Sequence, residues 1–265
     1  MNQEQVKNIL IQLDNNVEDY KVIFSGKTSK KVNGLYYPDK KEIIIHNKNF
    51  SDDNSLVYTA IHEFAHHIHI SYSTVPVSNR SHTNEFWNIF HKLLFKAEEL
   101  GLYKNIFETN EEFNKLTNEI KNNYLFKNAE LMKGAGKLLI KAVELCQKYK
   151  VRFEDYIDRG LMLNRNTAST IIKIHTMDIN PEIGYDNMKI VSRIKDDKER
   201  EKIENDFLEG KTQDMVKSEI SSKNRSAQAI DLLKEEKTRL ERTINRLSKR
   251  LEVIVEKINE LGVSD

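Results

Sequence analysis

Residues 62–66 read His62-Glu63-Phe64-Ala65-His66, two imidazoles four positions apart with a carboxylate directly after the first. On an α-helix, positions four apart share a face, so both rings can reach one ion. The residue after the first histidine is turned by about 100° and stays out of the coordination sphere. Glu63 is then free to take a proton from a water whose pKa a zinc ion lowers to roughly 7, the arrangement that attacks a carbonyl carbon. A third protein ligand that leaves the fourth position open would complete a catalytic site. His82, in Ser81-His82-Thr83-Asn84-Glu85-Phe86-Trp87, stands just before a helical run and can point back at the first helix; Glu85 is its rival. The expectation is Zn2+ held by His62, His66 and His82, with Glu63 as the base.

Six of the eight histidines lie between His62 and His91, so the others need separate reading. His67 and His69 follow on the same helix but off the metal face, and read as solvated or supporting residues. His46 and His91 carry no assignment. Phe86 and Trp87 read as core residues beneath the site.

The elements that must position these groups are short. A helix is expected over Gln3 to Leu13. Two strand-like runs follow, Tyr20–Ser25 and Glu42–His46, the second rich in β-branched residues. Between them Gly34-Leu35-Tyr36-Tyr37-Pro38-Asp39 reads as a strand running into a turn. The Glu42–His46 strand is expected to pair with an extended substrate by edge addition. The helix carrying the histidines starts near Ser51 as N-cap, with Asp52 and Asp53 in its first turn, and turns Leu56, Ile61, Phe64 and Ile68 inward. A further helix, about Asn84 to Leu100, stops at Gly101.

Beyond this the chain is helical in texture. A second section opens at a break, Gly134-Ala135-Gly136, after which Leu138, Leu139, Ala142, Val143, Leu145 and Cys146 recur at helical spacing. Within it, Arg152–Ile157 and Thr167–His175 read as two short helices around the turn Gly160–Leu163, with Asn164 as a cap and Ala168, Ile171 and Ile172 inward. This is the outline of a helix-turn-helix, whose outward residues Arg165, Asn166, Thr170 and Lys173 would meet double-stranded DNA. Ten Lys or Arg against six Asp or Glu between Lys127 and Asp178 give that segment a modest basic bias. A protein-docking bundle is the other reading of the same pattern.

The last section is a heptad array. Ile230, Lys237, Ile244, Leu251 and Ile258 fall seven apart, and Leu233, Leu240, Leu247, Ile254 and Leu261 form the second seam. The pattern predicts a coiled coil and a homodimer, with isoleucine-rich first positions favouring two parallel strands. The expected organisation is therefore 1–126 for the metal-bearing domain, 127–220 for an all-α domain and 221–265 for the coil: an α+β protein, with a short sheet and its site helices followed by helices alone.

Composition narrows the class further. A net charge of +1 gives the whole chain no general affinity for nucleic acid. One cysteine, Cys146, excludes an intramolecular disulfide and a cysteine-rich zinc cluster. No run reaches the length of a membrane span, and the polar start Met1-Asn2-Gln3-Glu4-Gln5 lacks a signal pattern, so the expectation is a cytoplasmic chain with no membrane partner.

His62–His66, followed after a short gap by His82-Thr83-Asn84-Glu85-Phe86-Trp87, resembles the SprT-like and YgjP-like zinc metallopeptidases. The resemblance covers roughly residues 20–100. It implies a small zincin-like domain of strands over two helices, zinc ligands at His62, His66 and His82, a base at Glu63, and a protein or peptide substrate. One departure stands out. Many SprT-like proteins carry a cysteine zinc ribbon, which a chain with one cysteine cannot build. Three functions stay open at this level: a peptidase acting on proteins, including DNA-associated ones; a dimeric DNA-binding regulator with a structural or vestigial metal site; and a zinc hydrolase of a non-peptide amide. An intact Glu63 speaks against the second, because a structural site needs no base.

Overall fold

The first helix is fixed by its own end residues. Asn2 Oδ1 accepts from the Gln5 N–H at 2.9 Å and Gln5 Oε1 accepts from the Asn2 N–H at 2.7 Å, so two end donors are satisfied reciprocally. α1 (Gln3–Leu13) then buries Val6, Ile9, Leu10 and Leu13, one stripe at helical spacing. The computed structural model describes residues 1–73 and 82–262. Ser81 at the head of the His82 segment and residues 263–265 of the expected coil lie outside these, as does the side chain of Leu261.

Three strands follow: β1 (Lys21–Phe24), β2 (Gly34–Tyr37) and β3 (Glu42–Ile45). Their order in the sheet is β1-β3-β2, with β1 parallel and β2 antiparallel to β3. The register sets Val22 beside Ile43 and Gly34 beside Ile45. β3 is Glu-Ile-Ile-Ile, the most apolar of the three, and takes the centre, with Ile43 and Ile45 buried. This corrects the expectation that Glu42–His46 offers an edge to a substrate. Both sides of β3 are already hydrogen-bonded, and the outer edges belong to β1 and β2.

α2 (Asp53–Tyr72) is capped by Asp52 rather than Ser51. Asp52 Oδ1 accepts from the Ser55 N–H at 2.8 Å, and a carboxylate answers the positive helix end better than a hydroxyl does. Leu56, Ile61, Phe64 and Ile68 are buried, as their spacing predicts. α3 (Asn84–Glu99) starts on Thr83, whose Oγ1 accepts from the Phe86 N–H at 3.2 Å. It ends at Gly101 with φ +67°, left-handed geometry that glycine adopts at little cost. The sheet and these three helices enclose one core around Leu10, Ile43, Ile61, Phe64, Phe86 and Phe90.

The helical part begins with α4 (Ile106–Thr109) and α5 (Glu111–Ile120), and a π-helical stretch over Lys121–Phe126 passes into α6 (Lys127–Lys148). The expected break at Gly134–Gly136 is absent, since all three residues lie inside α6. α7 (Phe153–Asp155) continues as a π-turn to Gly160, and after a left-handed Met162 (φ +49°) Asn164 caps α8 (Arg165–Thr176). α8 crosses α6 so closely that a β-carbon at Gly136 would stand 2.5 Å from the Ile171 carbonyl oxygen. α8 buries Ala168, Ile171 and Ile174, three positions apart in turn; Ile172, expected inward, is only half-buried, at the margin of the cluster that Ala168 and Ile171 share with Leu139 of α6. α9 (Tyr185–Val191) and α10 (Asp197–Leu208) complete this bundle. The protein is thus mostly helical with one small three-stranded sheet.

The chain divides into two bodies, Met1–Val216 and Lys217–Asp265. The second is formed by α11 (Gln213–Gly262) after its first residues. No described helix is long and apolar enough to cross a membrane.

Candidate metal centre

The pitch of α2 puts His62 and His66 on one face, ring centroids 5.0 Å apart. His82, just ahead of α3, closes the group, with its ring 4.9 Å from His66 and its Nε2 3.1 Å from His62 Nε2. One nitrogen from each of His62, His66 and His82 lies within 4.8 Å of the others, and this group could hold a metal ion. Nitrogens bound to zinc at about 2.0–2.1 Å in a tetrahedron stand about 3.3 Å apart, so the cluster fits an ion with little movement. Among the described residues it is the only such group, and Glu85 is not in it.

Aromatic rings hold the imidazoles. Phe86, fully buried, stacks on His66 at 4.2 Å and meets His62 and His82 edge-on at 5.0 and 4.8 Å. Trp87 stacks on His82 at 5.4 Å, and Phe90 lies 5.3 Å from His62. These rings also remove water. Burial lowers the His62 pKa to about 4 and the His66 pKa to about 3, with the neighbouring histidines adding to both shifts. Both rings are therefore neutral at ordinary pH, the state in which a nitrogen lone pair can bind a metal.

Glu63 is 7% exposed, and burial raises its carboxyl pKa to about 7. A carboxylate poised there takes and returns protons near neutral pH. Its side chain runs along β2. A β-carbon at Gly34 would stand 2.8 Å from Glu63 Cγ and 2.9 Å from Thr59 Cγ2, closer than real carbons approach, and 3.0 Å from Glu63 Oε1. Gly34 is thus part of the site, and sequence reasoning missed it. The only signal available was a glycine at the head of a strand pattern, which commonly marks a close approach of backbone.

The remaining histidines are placed by the fold. His67 is fully buried, so of its two readings, solvated or supporting, the solvated one does not hold. Its Nε2 lies 2.9 Å from the Glu18 carbonyl oxygen, which can only accept, so Nε2 carries the proton and Nδ1 accepts from the Tyr36 O–H at 2.8 Å. The pair fastens β2 to α2 and thereby sets Gly34 against Glu63. His69 is also buried, edge-on to Phe86 at 6.3 Å. His46 Nδ1 meets Ser25 Oγ at 2.8 Å across the ends of β3 and β1. His91 is half-buried against Trp87 and Phe90.

The residues expected to face DNA lie on α8. Arg165, Asn166 and Lys173 are exposed and Thr170 is half-buried. Arg165 is bonded to Asp158, its Nε 3.0 and 3.1 Å from the two carboxylate oxygens.

No protein-family model, no curated protein and no solved structure matches this chain.

Proposed function

We propose that the chain is a zinc-dependent metallopeptidase of the SprT-like and YgjP-like kind, zincin-like in its first domain. The observation that carries the reading is the convergence of the His62, His66 and His82 nitrogens within 4.8 Å, with a buried Glu63 one residue along the same helix. A zinc ion on these three nitrogens supplies Lewis-acid polarisation of a carbonyl and an acidified water. Glu63 accepts the proton of the attacking water and delivers it to the leaving amine. Phe86, Trp87 and Phe90 keep the histidines neutral and oriented. The substrate is a protein or peptide, and DNA-associated proteins are included if α8 contacts duplex. An extended peptide would add along the outer edge of β2, whose first residue, Gly34, lies beside Glu63.

The test measures bound zinc and hydrolysis of an unstructured protein substrate together. Wild type should hold one zinc per chain. Glu63→Gln should keep that zinc and lose hydrolysis by about 10³-fold, since it removes a proton acceptor and no ligand. His82→Ala should lose both. Full zinc in all three with no hydrolysis in the wild type would overturn the peptidase reading and leave a structural metal site in a regulator.

A further inference from the structure

From Ile230 onward α11 presents an apolar seam to solvent. Ile230, Leu233, Leu240, Ile244, Leu247, Leu251, Ile254 and Ile258 are each between 45% and 66% exposed. Such a seam leaves a contiguous apolar stripe in water, and a seam repeating every 3.5 residues packs against another of the same period. The same helix from a second copy supplies that period, and the charges beside the seam decide its direction.

With Ile230 at the first heptad position, a parallel pair would set Lys237 against Lys237 across the seam. It would also set Glu236 against Glu241, once on each side, because flanking position g faces the following e of the other strand. Its middle layers would carry leucine at the first core position (Leu251) and isoleucine at the second (Ile254), the order that disfavours two strands.

Reversing one helix removes all three conflicts. In the register that sets Ile244 against Leu247, the other layers become Lys237 with Ile254, Leu251 with Leu240, and Ile258 with Leu233. The two Lys237 side chains then stand about 25 Å apart along the rod, at about 1.5 Å per residue. Position g now faces g, so Glu236 meets the second copy's Lys257 twice by symmetry, and e faces e without like charges. A shift of one heptad either way puts Glu241 against Glu241 or Arg250 against Arg250 at the two-fold axis. Of these three antiparallel registers, only the one that sets Ile244 against Leu247 is free of like charges facing each other beside the seam.

We propose that α11 pairs antiparallel with α11 of a second copy of this chain, Ile244 against Leu247. The inference is independent of the hydrolase reading.

Seam cysteines in the full chain test it, with the buried Cys146 leaving wild type as the blank. Leu240→Cys and Leu251→Cys are prepared separately, mixed under reducing conditions and then oxidised. The antiparallel register joins 240 to 251, so the mixture should form a covalent dimer of unlike chains while neither variant links to itself. Self-linking by either variant alone would overturn the proposal in favour of parallel strands. So would the absence of links in every sample, or a four-chain mass in light scattering. A charge reversal gives a second, opposed readout. Glu236→Lys should raise the dimer Kd about tenfold, and adding Lys257→Glu should restore it. A tighter dimer in Glu236→Lys alone is the parallel result and overturns the proposal.

Discussion

Gly34 shows how a single hydrogen in place of a side chain can set the position of a buried carboxylate. With the β-carbon position 2.8 Å from Glu63 Cγ, Gly34→Ala forces either β2 or the carboxylate to move by several tenths of an ångström or more, since carbon atoms in contact sit about 3.5–4.0 Å apart. The metal nitrogens belong to α2 and to the segment before α3, and none of them is among the atoms that a β-carbon at Gly34 would meet, which are side-chain atoms of Glu63 and Thr59. On the proposed function, Gly34→Ala should therefore keep bound zinc while hydrolysis falls about 10²-fold, the usual cost of displacing a reacting group by about 1 Å. Metal content measured beside turnover checks it, and loss of zinc in step with activity would mean that the strand shift reaches the ligands. This residue also marks how far the site was legible. His62, Glu63 and His66 could be read because their relation is a property of one helix. His82 could be read because it precedes a recognisable helix start at Thr83. Gly34 and Tyr36 could not, because their contacts to Glu63 and His67 cross about thirty positions of chain and depend on which strand takes the sheet edge. Their residue types alone hold nothing that encodes this.

Among the elements, α6 shows how the same two glycines admit opposite meanings. Gly134-Ala135-Gly136 has the composition of a linker, and by propensity alone it predicts a break. Packing overrides propensity here, because only a glycine lets α8 approach α6 to within contact of the Ile171 carbonyl. The two positions should therefore respond with opposite sign. At Gly134 an added β-carbon meets nothing within 4 Å, so Gly134→Ala should stabilise the protein by about 0.5–1 kcal/mol through helix propensity. At Gly136 the β-carbon meets Ile171 O at 2.5 Å and His175 Cβ at 2.6 Å, so Gly136→Ala should cost about 1–3 kcal/mol despite the better propensity. Urea unfolding of the two variants measures both, and equal effects would mean that α6 and α8 do not cross as described. The sheet teaches the same lesson. The three strands were legible from β-branched runs and turn residues, but their order was not. β3 takes the centre because three consecutive isoleucines gain most from burial on α2, and alternation within a four-residue run carries no information about its neighbours.

At the scale of the whole molecule, two bodies meet different demands. Residues 1–216 hold separate buried clusters, one under the sheet and one between α6 and α8, and a group that can take a metal; among the described residues from 230 on, the seam is exposed. Their stabilities should therefore be linked to different ligands. Anything that binds only the folded state adds RT ln(1 + [L]/Kd); the ligand proposed above for the first body is zinc, and for the second another chain. Calorimetry of the full protein should accordingly show two transitions. The one from residues 1–216 should rise with zinc, by about 2.7 kcal/mol at a hundredfold excess over Kd, and fall on chelation. It should not respond to protein concentration. The transition of the α11 rod should rise with protein concentration and ignore the chelator. His82→Ala should abolish the zinc response alone, since it removes one of three converging nitrogens, and cutting the chain near Ser226 should abolish the concentration response alone. A single transition that follows both zinc and concentration would mean that the rod and the metal-bearing body fold as one unit, with zinc and chain association stabilising the same structure.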